Sequence, residues 1–284
     1  MKRVMSLVLG IALAVTCLAG CGGKIGRSIT VLSREEGSGT RGAFVELFQV
    51  EEEIKGEMVD NITAMAEITN STSVMLTTVK GNKSAIGYVS LGSLNDTVKA
   101  VKIDGAEPTA VNIKNGSYKI SRPFNIVTKG EIGKEASDFI SFIMSAEGQT
   151  VVEDAGYISG GNSGKYTSKN LNGTVKVGGS SSISPVMQRL KEAYEKLNPD
   201  TTVEIQESDS TTGINGTLEG SFDIGLASRE LKAEEEEKGL ETTAIAMDGI
   251  AVIVNHENEI DELTSEQVRS IYLGDTSDWA ELKK

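Results

Sequence analysis

Residues 28–50 read Ser28-Ile-Thr-Val-Leu-Ser33, then Arg34-Glu-Glu-Gly-Ser-Gly-Thr40, then Arg41-Gly-Ala-Phe-Val-Glu-Leu-Phe-Gln-Val50. The first part is rich in β-branched side chains and predicts a strand, and the last part predicts a helix with one apolar face. The loop between them places glycines and hydroxyls at the helix N-terminus, where free N–H groups and the helix dipole favour an anion. Arg34 adds a planar cation that is suited to oxyanions.

Two further strand-to-helix junctions have the same chemistry. Residues 178–184 read Gly-Gly-Ser-Ser-Ser-Ile-Ser, and Ser184 is expected to cap a helix with Pro185 at its first position. Residues 208–213 read Ser-Asp-Ser-Thr-Thr-Gly and precede another predicted helix. A single loop of this kind is ordinary helix capping, but three at comparable positions indicate an anion site. None has the Gly-x4-Gly-Lys-Ser/Thr pattern of a nucleotide-binding loop.

Predicted strands and helices alternate along the chain, which indicates an α/β protein with parallel sheets. Residues 159–173 interrupt this alternation, since they are rich in Gly, Ser and Asn and lack any periodicity. We expect them to form a flexible linker, after which the alternation restarts with a strand at residues 174–177.

The composition excludes several classes of function. The chain has 284 residues and a formal net charge of −13, so we expect no nucleic-acid partner. One His and two Cys leave too few ligands for a zinc or iron–sulfur site, and we expect neither a metal nor another cofactor. A catalytic Ser-His or Cys-His pair would have to use His256, which lies in a polar stretch and is expected at the surface or at a hinge.

The N-terminus has the features of a secretory signal. Lys2 and Arg3 precede an apolar run, residues 4–18, that is too short to span a membrane. The run ends in Leu-Ala-Gly-Cys21, which resembles the processing site of bacterial lipoproteins. We therefore expect a signal peptide at residues 1–20, a palmitate-containing lipid on Cys21, a tether at residues 21–25 and extracytoplasmic anchoring to the cell membrane. The alternative is an ordinary signal peptide with an incidental cysteine.

Five longer motifs are spread over the rest of the chain: Ser33-Arg-Glu-Glu-Gly-Ser-Gly-Thr-Arg-Gly-Ala-Phe44, Ala85-Ile-Gly-Tyr-Val-Ser-Leu-Gly92, Val177-Gly-Gly-Ser-Ser-Ser-Ile-Ser-Pro185, Asp223-Ile-Gly-Leu-Ala-Ser-Arg-Glu230 and Asp248-Gly-Ile-Ala-Val-Ile-Val-Asn255. Together they resemble the signature of the phosphate-binding proteins that supply bacterial phosphate ABC importers. In that family the Gly-Ser-Ser-Ser segment comes first, whereas here it follows the Arg-Glu-Glu-Gly-Ser-Gly-Thr segment. The sequence therefore resembles a circular permutant of the family, of natural or engineered origin.

The resemblance implies a periplasmic-binding-protein-like α/β fold with two lobes and a ligand cleft between them. In the permuted order, lobe B would comprise residues 26–97 and 254–284, and lobe A would comprise residues 98–253. The hinges are expected near residues 91–98 and 252–258, and closure of the lobes would bury the anion.

By position, the resemblance assigns the anion contacts to eight residues: Arg34, Ser38, Gly39, Thr40, Ser181, Ser182, Ser210 and Ser228. Where this chain has Ser228, some members have an acidic residue that accepts the proton of phosphate and thereby rejects sulfate. The candidates for a replacement acceptor are Asp209, Glu36 and Glu230, with Asp209 first, and Arg229 is a candidate for added positive charge.

The sequence thus predicts a monomeric, non-enzymatic protein that binds inorganic phosphate and passes it to the membrane subunits of an ABC importer. Three alternatives stay open: a binding protein for sulfate, molybdate or another oxyanion, a secreted phosphatase-like enzyme with a loop serine as nucleophile, and an adhesion or sensor lipoprotein with a vestigial cleft.

Overall fold

A computed structural model describes residues 28–54 and 57–282 of the chain. The expected signal peptide, the tether and Cys21 lie outside the described residues. Within the described part of the chain, no helix is long and apolar enough to cross a membrane.

The described elements alternate as the sequence predicts, with a few additions. The strands are β1 (Thr30–Arg34), β2 (Glu51–Ile54), β3 (Glu57–Asp60), β4 (Glu67–Thr69), β5 (Ala85–Ser90), β6 (Lys99–Ala100), β7 (Lys102–Ile103), β8 (Ser121–Lys129), β9 (Ile158–Ser159), β10 (Gly173–Ser180), β11 (Thr201–Ser208), β12 (Ile224–Ala227), β13 (Leu240–Val254) and β14 (Glu262–Leu263). The helices are α1 (Gly39–Leu47), α2 (Thr72–Gly81), α3 (Ala110–Lys114), α4 (Lys134–Ile143), α5 (Ala146–Asp154), α6 (Ser184–Leu197), α7 (Ser210–Leu218), α8 (Ala233–Glu236) and α9 (Ser265–Leu273), with 3-10 turns at Leu91–Ser93 and Trp279–Leu282.

The main sheet has the strand order β11-β10-β12-β8-β13-β5-β1-β4, and β6 and β9 also pair with β13. The outer strands pair in parallel, as the alternation of strands and helices predicts. However, β8 is antiparallel to β12 and to β13, and β13 is antiparallel to β5. The expectation of purely parallel sheets is therefore wrong at the centre, because β8 and β13 run between the two lobes instead of belonging to a βαβ unit.

Two hydrophobic cores define the lobes. One core gathers residues from 29–120 and 250–279, including Phe44, Tyr88 and Tyr272, and a smaller cluster around Leu32 lies in the same ranges. The other core gathers residues from 124–246, including Phe139 and Tyr194. We call the first unit lobe B and the second lobe A.

These cores shift the lobe boundaries that we expected from the sequence. Val101 and Tyr118 were assigned to lobe A, yet they pack in the core of lobe B. The crossings lie near residues 121–124 on β8 and 246–250 on β13, instead of near 91–98 and 252–258, because Val98 and Val252 are already buried inside lobe B.

The segment 159–173 has no helix or strand between β9 and β10, as its composition predicts, but its side chains anchor it to lobe A. The hydroxyl of Tyr166 donates to Asp138 Oδ2 at 2.6 Å and to Asn198 at 3.2 Å, and its ring is buried. The Ser168 hydroxyl donates to the same Asn198 side chain at 2.5 Å. The segment is therefore held against α4 and α6 and is not a free linker, and we call it the strap.

Candidate functional site

The loop between β1 and α1 holds Arg34 inside the protein. Arg34 is the last residue of β1, where Thr69 of β4 pairs with it, and its side chain is only 3% exposed. The guanidinium binds the Glu35 carboxylate through two hydrogen bonds of 2.6 and 2.8 Å. It also donates to Ser181 Oγ at 3.1 Å and to Thr72 Oγ1 at 3.3 Å. Arg34 of lobe B thus reaches the serine loop of lobe A.

The serine loop follows β10, and Gly179 shapes its start with a φ of 135° that glycine adopts readily. Ser182 Oγ lies 2.7 Å from Thr40 Oγ1 at the start of α1. Thr72, the first residue of α2, lies 3.3 Å from the hydroxyls of both Ser181 and Ser182. Four buried hydroxyls and one guanidinium therefore form a single cluster across the two lobes.

A second cluster of hydroxyls lies beside the first, beneath the N-terminus of α1. Ser180 Oγ donates to Ser228 Oγ at 2.9 Å, and Ser210 Oγ accepts from the Ser228 N–H at 3.0 Å. A Cβ on Gly39 would lie 2.5 Å from Ser210 Oγ and 2.8 Å from Ser228 Oγ. The absence of a side chain at Gly39 is what allows the loops of the two lobes to meet here.

Four helices, α1, α2, α6 and α7, begin at these clusters. Ser38, Ser71 and Asp209 cap the first, second and fourth of them through their side chains. Helix α6 begins at Ser184, but its N-cap is Ile183, so Ser184 is not the cap that we expected and Pro185 is its second residue. Because each first turn leaves N–H groups without acceptors in the helix, four positive helix ends converge on one region.

The structure brings the eight predicted residues together. Seven of them form the two clusters or border them, and Ser38 joins the first loop, where its hydroxyl accepts from the Arg41 N–H at 3.3 Å. Of the eight, the seven with side chains are at most 4% exposed. The assignment of these residues as anion contacts stays a prediction, since the geometry shows their proximity and their chemistry alone.

Of the three candidates for a proton acceptor, Glu36 is exposed to solvent, and the other two already accept hydrogen bonds. Asp209 caps α7 and accepts from Thr212 N and Oγ1 at 2.8 and 2.6 Å. Glu230 accepts from Asn125 at 3.2 Å. Arg229 forms a two-bond ion pair with Glu235 at 2.8 and 2.9 Å, so its charge is neutralised locally.

Sequence reasoning missed three residues of the site: Thr72, Glu35 and Ser180. The polar residues Asn70-Ser71-Thr72 precede α2 in the way that the predicted anion loops precede their helices, and the same argument applied to them would have found Thr72. Glu35 is adjacent to Arg34 in sequence, but only the fold shows that its carboxylate turns toward the guanidinium. Ser180 precedes the two predicted serines and belongs to the hydroxyl cluster around Ser228.

The described residues contain no candidate metal site, and their one histidine lies away from the hydroxyl clusters. Across 28–54 and 57–282 no group of three or more His, Cys, Asp or Glu side chains is arranged to hold a metal ion. His256 lies after β13, is exposed, and contacts the carbonyl of Asp96 at 2.8 Å.

Two lobes joined by crossing strands, with polar loops meeting between them, are the architecture of a solute-binding protein. A family model described as "PBP superfamily domain" matches residues 22–147 and 164–284, and the chain belongs to this superfamily. The expectation of a periplasmic-binding-protein-like α/β fold is confirmed.

Comparison with individual proteins narrows the family. The chain is 53% identical to "Phosphate-binding protein PstS 2" of Streptococcus agalactiae over 289 residues, which cover 100% of this chain and 99% of the relative. It is 41% identical to a protein of the same name from Streptococcus pneumoniae, with 99% of each chain covered. A crystal structure of a phosphate ABC transporter, phosphate-binding protein from Streptococcus pneumoniae TIGR4 is 43% identical, has a TM-score of 0.71, and matches 90% of this chain and 100% of its own. The chain is therefore a member of the phosphate-binding protein family, as the motifs predicted.

Proposed function

We propose that this protein binds inorganic phosphate between its lobes and delivers it to the membrane subunits of an ABC importer. The observation that carries the proposal is the meeting of Arg34, Thr40 and Thr72 of lobe B with the serine loop of lobe A. Hydroxyls and N–H groups donate to oxyanion oxygens, and the guanidinium supplies the fixed positive charge. The names of the full-length relatives support phosphate as the anion.

The site supports binding without turnover. A serine nucleophile needs an adjacent base, and the partners recorded for the serine hydroxyls of both clusters are other hydroxyls, backbone groups and Arg34. Charge-assisted hydrogen bonds to the four helix ends are sufficient to hold an anion without a metal or another cofactor. We therefore propose a binding protein that is not an enzyme.

Sulfate is the second candidate ligand, and one observation favours it. The position of the acidic proton acceptor is occupied by Ser228, whose hydroxyl can donate to an unprotonated oxyanion or accept from a protonated one. Asp209, the first candidate replacement, already accepts two hydrogen bonds from Thr212. The carboxylate that the site does contain, that of Glu35, accepts two hydrogen bonds from Arg34, so it is engaged in an ion pair instead of accepting the proton of phosphate.

We further propose that the mature protein is a monomer anchored outside the cytoplasm by a lipid on Cys21. The support is the sequence before Cys21, and mass spectrometry of the membrane fraction tests it. A lipid on the wild-type protein that disappears in Cys21→Ser is the expected result, and an unmodified Cys21 in the mature protein contradicts it.

The circular permutation also stays a proposal. Two observations support it: the Ile29 N–H donates to the Ser277 carbonyl at 2.8 Å, so the two ends of the described chain are adjacent, and the strap at 159–173 is largely exposed. Adjacent ends and an exposed connection are what an exchange of chain order requires. The Streptococcus agalactiae relative matches this chain from end to end, so its segments stand in the same order.

Isothermal titration calorimetry tests the main proposal. Purified protein without its signal is titrated separately with phosphate, sulfate and molybdate. We expect saturable binding of phosphate with a stoichiometry near one. Folded protein that gives no phosphate heat, and instead binds sulfate or molybdate, contradicts phosphate and supports the second candidate. Hydrolysis of a chromogenic phosphate ester that is lost in Ser38→Ala would contradict the absence of enzymatic activity.

A further inference from the structure

A buried ion pair links the two strands that pass between the lobes. Arg122 on β8 lies opposite Asp248 on β13 in the sheet register. Arg122 NH2 lies 3.3 Å from Asp248 Oδ2, and the two side chains are only 3% and 1% exposed. Since the strands leave one core and enter the other at this point, the pair lies at the junction of the lobes.

The guanidinium of Arg122 has few hydrogen-bond acceptors around it. Among the described residues, the Nε and Nη1 atoms of Arg122 are buried and have no hydrogen-bond partner. The ring of Phe124 lies 5.3 Å from the Arg122 guanidinium carbon and offers it a weak cation–π contact. A guanidinium with one long hydrogen bond to its carboxylate keeps much of its field available to other groups.

The charge of Arg122 acts on Arg34, which belongs to the proposed phosphate cleft. Burial lowers the pKa of Arg122 to about 10, Asp248 opposes this shift, and the charge of Arg34 adds to it. The two guanidinium groups therefore interact electrostatically. In the strand order β8-β13-β5-β1 the two strands that carry them are three positions apart, so the backbones of these strands lie about 14 Å apart at ~4.8 Å per strand. Charges separated by protein interior are screened far less than charges at the surface.

The cleft needs positive charge beyond that of Arg34. The charge of Arg34 is largely neutralised by its two hydrogen bonds to Glu35, whereas phosphate near neutral pH carries one to two negative charges. Burying such an anion is unfavourable unless other positive charge or donors compensate. Arg122 is the next buried guanidinium along the sheet.

We propose that Arg122 is a second source of positive charge for the phosphate cleft, and that Asp248 limits how much of that charge reaches the anion. This inference rests on the proposed function. If it is correct, loss of the Asp248 charge strengthens phosphate binding and loss of the Arg122 charge weakens it. An ion pair that only holds the strands together would instead weaken binding when either half is lost.

Calorimetry on Asp248→Asn and on the double variant Arg122→Gln/Asp248→Asn separates these roles. Asp248→Asn is expected to bind phosphate at least about threefold more tightly than wild type, because the carboxylate that opposes the field of Arg122 is gone. The double variant keeps the neutral Asn and loses the guanidinium. It is expected to bind at least about threefold more weakly than Asp248→Asn alone.

Asp154→Asn, which removes an exposed carboxylate from the end of α5, controls for the change in net charge and is expected to match wild type. If Asp248→Asn does not fold, Asp248→Ser removes the same charge with a smaller side chain. Tighter binding on loss of Asp248 together with weaker binding on further loss of Arg122 supports the inference, and any other pattern overturns it. Wild-type protein that does not bind phosphate refutes the proposed function itself.

Discussion

Replacing Gly39 by alanine tests whether contact between the lobes is required for binding. Gly39 is the first residue of α1 in lobe B, and an added Cβ would lie 2.5 Å from Ser210 Oγ and 2.8 Å from Ser228 Oγ in lobe A. The backbone carbonyl carbon of Ser228, at 3.0 Å, prevents a simple rotation of one hydroxyl from relieving the contact. The lobes must therefore separate slightly to accept the methyl group.

The expected penalty follows from the cost of overpacking, which is typically about 1–3 kcal/mol. If this penalty destabilises only the closed form that holds the anion, the Kd for phosphate rises by about 5- to 150-fold, since about 1.4 kcal/mol corresponds to a factor of ten. Replacing glycine by alanine also reduces the conformational freedom of the unfolded chain, which stabilises the fold by about 0.4–1 kcal/mol where the backbone is compatible. The ligand-free variant is therefore expected to be no less stable than wild type once the lobes are apart.

Gly42→Ala is the matched control, because Gly42 lies in the same helix and its added Cβ would meet only Arg229 Cδ, at 3.9 Å. Titration calorimetry should show weaker phosphate binding by Gly39→Ala and wild-type binding by Gly42→Ala, and thermal unfolding without phosphate should show no loss of stability for either. Equal affinities for the two variants would refute the reasoning, since they would mean that Gly39 does not approach lobe A in the bound state.

Other substitutions test the remaining contacts. Arg34→Ala is expected to weaken phosphate binding at least tenfold, because a hydrogen bond to a charged group contributes about 1.5–3 kcal/mol and the Glu35 carboxylate would then face the anion; unchanged calorimetric affinity removes Arg34 from the site. Ser228→Asp should weaken sulfate binding at least tenfold more than phosphate binding, measured by parallel titrations, since only phosphate has a proton to donate. Burial raises the pKa of Asp248 to about 6 against the opposing effect of Arg122. The folded protein therefore holds a proton on Asp248 that the unfolded chain releases, so the stability that this proton provides should be present below pH 4 and lost as the pH rises through 6. Melting temperatures of wild type and Asp248→Asn that change in parallel from pH 4 to 7 contradict this. Tyr166→Phe should lower the free energy of unfolding in urea by about 1.5–3 kcal/mol without changing phosphate affinity, because it removes the hydrogen bond to Asp138 that anchors the strap.

The site was more predictable than the boundaries of the lobes, for a local reason. Glycines and hydroxyls at a helix start are read directly from consecutive residues, and α1 begins at Gly39, two positions before its predicted start at Arg41. The capping chemistry fixes where the N–H groups point. Once a family resemblance placed the loops on opposite lobes, their convergence followed.

The lobe boundaries depend on contacts between distant segments, which no local pattern reports. Tyr118 joins lobe B because its hydroxyl donates to the Ile250 carbonyl at 2.7 Å, across more than a hundred residues of chain. The hairpin of β2 and β3 was likewise not predicted, since Glu51-Glu-Glu-Ile54 is too acidic to suggest a strand, and most of its residues are exposed on both faces of a two-stranded sheet. Thr72 lies at the cleft because β4 pairs with β1 and so places the start of α2 beside the β1–α1 loop.

The net charge of −13 is compatible with an anion ligand because the charges that matter are local. At physiological salt the Debye length is about 8 Å, so exposed carboxylates beyond that distance are largely screened from the cleft. Inside the cleft the anion meets helix ends, hydroxyls and Arg34, and the proposed field of Arg122 adds to theirs. Two carboxylates, those of Glu35 and Asp248, are each bound to one of these arginines, so they adjust the positive charge that the anion experiences. Affinity should therefore respond strongly to neutralising Asp248 and hardly at all to neutralising Asp154, although both changes alter the net charge by one unit.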